Sequence, residues 1–413
     1  MGKGLLKNRN FLLLWTSQIS SQLAINIMNF LVLVQIFERT NSSIASSFIW
    51  VAYGVPAVIL GPIAAAAVDM ANKRKLMVIS NIAQALVILV YAILFERYIY
   101  FSYGVVFLYS VFDQLYVPAE AASLPLITSG KELPRANGLF FISAQSMAII
   151  GFGTAGLISE VIGFRQTMFL GSAMLVLAFI ATLSMSKIGS VKRVTVNSLE
   201  QLFFQFFHRI KEGYDFIRSR NSVLYSFFFL IWLQVSLSIL VVNLPSIGRN
   251  ILMTKPALAG PLVVGPAGVG ALLAAIILPR YITSNIRKKT IVEVALLVLA
   301  ANFIIVSLIA PSLGVWSARL VLVISFFFVG VSYVSALIPS VTFLQLQTPK
   351  NLMGRVFGNF WFLANTASLV PVIFSATITE LFGVHLMLLF MGVIALLVFG
   401  FSRIKVDGIL VAQ

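Results

Sequence analysis

The chain has 413 residues, of which 60% are hydrophobic and only 10% charged, far below the roughly 25% charged residues of soluble domains. Its net charge of +16 is confined to breaks between long apolar runs, which gives that charge a membrane-topology reading and excludes nucleic-acid binding. Cysteine is absent, so disulfides and thiolate metal sites are excluded as well.

Runs of about 20 apolar residues separated by short polar breaks have the length of membrane-crossing helices, whereas barrel strands would alternate over about 10 residues. The start, MGKGLLKNRNFLLLW, puts Lys3, Lys7 and Arg9 before the first run, as in a signal peptide. That run continues to about Ile36, too long for a cleaved core, and reads as a retained first helix with its N-terminus in the cytoplasm. Six spans are expected in the first half, at about 11–36, 44–68, 76–95, 102–123, 138–159 and 166–187. Their orientation is set by GPIAAAAVDMANKRKL, Gly61 to Leu76, where an apolar helix reaches Asp69 and breaks into Lys73, Arg74 and Lys75. Helices do not carry such cations through hydrocarbon, so this break is cytoplasmic. Six cations (Arg39, Arg97, Arg165, Arg249, Lys255 and Arg319) then fall outside and the other 23 inside.

Between Ile188 and Arg220 the apolar pattern stops. Phe203, Phe206 or Phe207, Ile210, Tyr214 and Ile217 recur at helical spacing among charged residues, which predicts an amphipathic linker helix on the inner membrane surface, with Ser198 and Gln201 as its capping box. Six more spans follow at about 222–246, 257–279, 290–310, 318–343, 356–378 and 384–402. Lys131-Glu-Leu133 with Arg135-x-x-Gly138 is echoed by Lys350-Asn-Leu352 with Arg355-x-x-Gly358, six spans later, the mark of a duplicated bundle. The expected fold is therefore an all-α polytopic membrane protein of twelve transmembrane helices in two pseudo-symmetric six-helix bundles. Residues 1–187 form the first bundle, 188–220 the cytoplasmic linker and 221–413 the second bundle, with both termini cytoplasmic in a cell membrane.

Asp113, in the fourth span, is the one carboxylate placed near a bilayer midplane. Holding it charged there costs about 2.5–3.5 kcal/mol, so it must meet a partner, meet water or be protonated. Tyr109, Asp113, Tyr116 and Glu120 fall on one helix face, and Gln18, Gln22, Asn26 and Asn29 form a matching stripe on the first span. Asp113 reads either as a structural hydrogen-bond partner of a neighbouring helix or as a site of proton or cation coupling, with cargo binding a third role. Glu293 is expected in an interfacial ion pair with Arg287, Lys288 or Lys289, and Glu120 near the inner surface with Lys131 or Arg135. The second half offers milder polar groups, Gln234, Ser332 and Ser335 among them.

Two similar halves, a basic central linker and an acid-then-basic loop after the second span together resemble the major facilitator superfamily. Within it, PAEAASLPLITSGKELPRANG from Pro118 and TPKNLMGRVFG from Thr348 are similar to the branch of macrolide-efflux and enterobactin exporters. The resemblance implies a proton-coupled exporter working by alternating access, without naming the cargo. It also implies that the first, fourth, seventh and tenth helices line a central cavity, which would take in Gln18, Gln22, Asn26, Asn29, Tyr109, Tyr116, Gln234, Ser332 and Ser335. In the family the loop acid holds the cytoplasmic ends of the bundles together, which assigns Asp69, Lys73, Arg74, Arg135 and Arg355 to a cytoplasmic gate. The chain departs from the pattern at Ala65, Met70 and Asn72, and at Ile25, where many relatives carry an acid.

The expected function is secondary active export of a hydrophobic or amphiphilic small molecule, drug-, macrolide- or siderophore-like, by proton antiport, from a monomer in the lipid bilayer. Translocation of a lipid or lysophospholipid is the alternative of the same class, and a non-transporting membrane receptor that of a different class. An enzyme is disfavoured, because His208 and His385 are the two histidines and one deep carboxylate cannot assemble a catalytic or metal site. No cofactor is expected.

Overall fold

The computed structural model describes residues 4–95, 99–186, 199–282, 288–349 and 352–404. Ser198 of the expected capping box, Arg287 and the side chain of Asp69 lie outside the described residues. The chain is helical throughout them: α1 (Arg9–Thr40), α2 (Ser43–Met70), α3 (Lys73–Leu94), α4 (Phe101–Ile127), α5 (Leu133–Ile162), α6 (Phe164–Leu183), α7 (Leu199–Arg218), α8 (Asn221–Val242), α9 (Leu244–Asn250), α10 (Gly265–Ile282), α11 (Lys288–Ile309), α12 (Val315–Gln347), α13 (Met353–Phe382) and α14 (Val384–Ile404). Eleven stretches among the described residues are long and apolar enough to cross a membrane. The 27-residue α4 is not one of the eleven, although at 1.5 Å per residue it is about 40 Å long.

The expected spans fall on helices over most of their described residues, with revisions in the seventh and the eighth. The seventh breaks at Asn243, where α8 ends and the short α9 begins, because Pro245 has no amide to continue the ladder. The Asn243 side chain fills the break, donating to the Ile239 carbonyl (2.9 Å) and to the Ser375 hydroxyl of α13 (3.1 Å). Pro256, Pro261 and Pro266 similarly give the eighth span an irregular start, a 3₁₀ turn and a π turn (Gly260–Val264) before α10.

The chain divides into two compact units, residues 1–39 with 48–206, and residues 40–47 with 207–413. In the first unit α1 runs along α5. Phe11 meets Phe140 at 5.9 Å, Trp15 Nε1 donates to Ser143 Oγ (2.7 Å), and Phe30 meets Phe152 edge-on at 5.8 Å. Gly151 allows that approach, since a Cβ there would lie 2.6 Å from the Asn26 Cβ. α2 meets α4 through Tyr53 and Ser110, and α3 meets α6 through Ser172, whose hydroxyl donates to the Ala85 carbonyl (2.9 Å).

The second unit repeats these pairings. α8 packs on α13, α11 on α14, and α10 on α12, the last so closely that a Cβ at Gly330 or Gly270 would strike the backbone of Ala267 or Phe327. Its apolar core is built from Phe227, Leu230, Leu296, Phe343, Leu344 and Phe360, with Ile217 of α7 packed in. The linker helix is thus tied to α13. Arg355 pairs with Glu212 at 2.6 Å, the Asn359 amide donates to the Ile210 carbonyl (2.7 Å), and Gly213 leaves room for both. At its other end the unit holds the turn before α2, where the Ser42 hydroxyl (2.6 Å) and the Ile44 amide (3.0 Å) donate to Glu380.

Candidate transport site

The site grows from α4. Tyr109, Asp113, Tyr116 and Glu120 share one face as their spacing requires, and all four are buried inside the first unit. Asp113, 5% exposed, accepts a hydrogen bond on Oδ2 from the Tyr53 hydroxyl of α2 (2.9 Å). Tyr53 is itself fixed, because its carbonyl accepts from the Ser110 hydroxyl one turn up α4 (2.6 Å). The amide of Gln84 on α3 faces the same carboxyl and donates to the Tyr109 carbonyl (3.4 Å). A second strand of the network links Tyr116 to the Ser17 hydroxyl of α1 (2.9 Å), and the Asn81 amide of α3 to Ser17 (3.2 Å) and to Thr182 of α6 (3.5 Å). α1, α2 and α3 therefore meet the polar face of α4, and α6 joins the network through Asn81.

The network is incomplete. Asp113 Oδ1, Gln84 Oε1, Asn81 Oδ1 and the Tyr109 hydroxyl are buried and have no hydrogen-bond partner. An orphaned polar atom in a sealed interior costs about 1–3 kcal/mol. Three of these four atoms can only accept, so the local deficit is of donors, and a proton bound on Asp113 supplies one. No side-chain cation bonds to Asp113 among the described residues.

The other expected site residues divide by burial. Gln18 is buried and donates to the Phe140 carbonyl (2.9 Å), so its amide joins α1 to α5. Tyr109, Tyr116 and Ser332 are likewise enclosed within their own units. Gln22, Asn26, Asn29, Gln234 and Ser335 are half-buried, and the Asn26 amide donates to the Gln22 carbonyl (2.6 Å). Of the expected gate, Lys73 donates to the Val68 carbonyl near the end of α2 (3.3 Å), and Arg74 donates to the last carbonyls of α6, at Thr182 (3.3 Å) and Leu183. Arg135 is exposed, and Arg355 is held by Glu212.

Sequence reasoning missed the α2 and α3 partners of Asp113. Asn81 and Gln84 were detectable as amides in an apolar span, but the bond from Tyr53 is a tertiary fact with no periodic signal. Glu120 also differs from its expected pairing. It is 6% exposed while Lys131 and Arg135 are exposed, and no ion pair joins them. The reason is that α4 continues to Ile127, which carries the basic loop a further two turns from Glu120. Glu293 is paired as expected in kind, with Lys289 at 3.9 Å, but its nearer partner is Arg403 of α14 at 3.0 Å.

A family model described as Major Facilitator Superfamily matches residues 14–371. An uncharacterized MFS-type transporter of Bacillus subtilis (strain 168), YfiS, is 24% identical, with 96% of this chain and 94% of that protein covered. Among solved structures, a POT family transporter in complex with 5-aminolevulinic acid superimposes with TM-score 0.73 at 14% identity, over 96% of each chain. The nucleoside transporter NupG does so with TM-score 0.69 at 13% identity, over 95% of this chain and 97% of that one. A bacterial homolog of the human lysosomal transporter Spinster gives TM-score 0.70 at 12% identity, over 97% of each. At such identities the structures establish the fold alone.

Proposed function

The chain belongs to the major facilitator superfamily, and from that premise we propose that it exports a hydrophobic or amphiphilic small molecule in exchange for protons, with Asp113 as the coupling group. It is a multi-pass membrane protein and a secondary transporter of small molecules, not an enzyme. The observation that carries the finer reading is the Asp113 carboxylate, sealed on α4, bonded by Tyr53 on one oxygen and open on the other. One proton crossing about 150 mV releases about 3.5 kcal/mol at 2.3 per 100 mV. At 1.4 kcal/mol per tenfold, that sustains a several-hundred-fold cargo gradient, so one carboxylate suffices.

In this reading α4 is the twelfth span. It has the length, and its carboxylates and prolines are what lower its apolarity. Twelve spans would put both termini on one side, which the basic loops make the cytoplasm, and the repeated helix pairing of the two units supports the duplication that alternating access uses. Gln22, Asn26 and Asn29 in the first unit, and Gln234 and Ser335 in the second, are incompletely buried, which supports their expected role in meeting cargo. The loops from Pro118 and from Thr348 support the macrolide-efflux and enterobactin-exporter branch.

The test is purified protein in proteoliposomes with an imposed pH gradient, offered tetraphenylphosphonium, a macrolide, a siderophore and a lysolipid. Uphill movement of at least one of the first three that collapses with the pH gradient is expected. Movement of the lysolipid alone would turn the reading to lipid translocation, and movement indifferent to the gradient would overturn proton coupling.

A further inference from the structure

Glu120 has the same predicament as Asp113, and nothing in the coupling argument uses it. It is 6% exposed on the same face of α4, seven residues on and so about 10 Å along the axis. The elements around this end of α4 present apolar side chains: Leu5, Phe11 and Leu14 from the N-terminal segment and α1, Val68 from α2, Met77 from α3, and Ala136 and Phe140 from α5.

Among the described residues, the charged groups at this end of the unit are engaged elsewhere or exposed. Lys73 is committed to the Val68 carbonyl, Arg74 to the end of α6, and Lys131 and Arg135 are exposed. Tyr116, one turn away on α4, is bonded to Ser17, and Asp113 is a carboxylate whose charge reaches it. Glu120 has no ion pair or hydrogen bond among the described residues. Glu293 shows what a buried carboxylate looks like when it is held charged: Arg403, Lys289 and the Ser402 hydroxyl (3.3 Å) all converge on it. Burial among apolar groups without such partners disfavours the charged form. The orphaned acceptors on Asp113 of α4 and on Gln84 and Asn81 of α3 show the same deficit of donors within this unit.

We propose that Glu120 is a second proton-exchanging site, so that α4 can carry two protons, one on Asp113 and one on Glu120. This rests on the proton-exchange reading of Asp113. Each site takes up one proton on its carboxylate and returns it as that carboxylate, with no other bond made or broken.

The experiment is infrared difference spectroscopy of the purified full chain in phosphatidylcholine liposomes, stepped from about pH 5 to about pH 9, a range that brackets any moderately perturbed carboxyl. The readout is the carbonyl stretch of buried protonated carboxyls. The wild type should lose two such bands over the step, Asp113→Asn should lack one and Glu120→Gln the other, while Glu293→Gln should leave both. A Glu120→Gln spectrum identical to the wild type would overturn the proposal. If Glu120→Gln fails to fold by size exclusion, Glu120→Asp keeps the group and must move one band, and unmoved bands would equally overturn it. A missing band in Glu120→Gln beside an unchanged Asp113→Asn spectrum would keep the second site and remove Asp113 from coupling.

Discussion

The two units bury polar groups to opposite ends. In the second, the buried acid Glu293 is met by Arg403, Lys289 and Ser402, and the helices around it close on apolar side chains and on glycines. In the first, Asp113 and Glu120 lie in one helix with no cation paired to either among the described residues, beside acceptors that have no donor. A satisfied buried pair fixes structure, whereas an unsatisfied one stores an affinity for protons. The helix pairings are repeated, but the chemistry around the buried acids differs, with Glu293 met by cations and Asp113 met by a tyrosine hydroxyl.

The contrast can be broken most severely at the glycine contacts. Gly330→Ala should cost about 3 kcal/mol or prevent folding, because its Cβ meets the Ala267 carbonyl, which is backbone and cannot turn aside. Thermal unfolding in detergent reads this, and a midpoint near the wild type would refute the close approach. Next comes Asp113→Asn, which should lower pH-gradient-driven efflux of tetraphenylphosphonium by about a hundredfold, about 2.7 kcal/mol, with unfolding unchanged.

Tyr53→Phe sharpens the same point. Removing a hydrogen bond to a charged group is worth about 1.5–3 kcal/mol, so transport should fall about tenfold while Asp113 stays in place. In the second unit Arg403→Ala leaves Glu293 with Lys289 at 3.9 Å. Because Arg403 is largely exposed, the loss should be about 1–2 kcal/mol of stability, with Glu293→Gln costing less. The smallest effect belongs to Glu212→Gln, below about 1 kcal/mol, since both members of the pair with Arg355 are more than a third exposed. A double-mutant cycle with Arg355→Ala measures it directly.

Most of the helical frame was legible because a run of apolar residues long enough to cross a bilayer has few other fates. The break at Asn243 was not read, since the run stays apolar through Pro245 and only backbone hydrogen bonding stops there. At the site, Asp113 stood out as a charge in a span, but Tyr53 and Gln84 lie on other helices and become its partners only through packing. Depth counting misplaced the surroundings of Glu120, because it equated the end of an apolar run with the end of the helix.

The basic residues after α2 close several helices. Lys73 and Arg74 donate to carbonyls at the C-terminal ends of α2 and α6, and Asn72 accepts the Lys75 amide at the start of α3 (3.2 Å). Positive charge there also favours the negative end of each helix dipole. The cations that the positive-inside rule would read as topology signals are thus the same atoms that finish two of the helices, so a designer who neutralised them to alter topology would be dismantling joints at the same time.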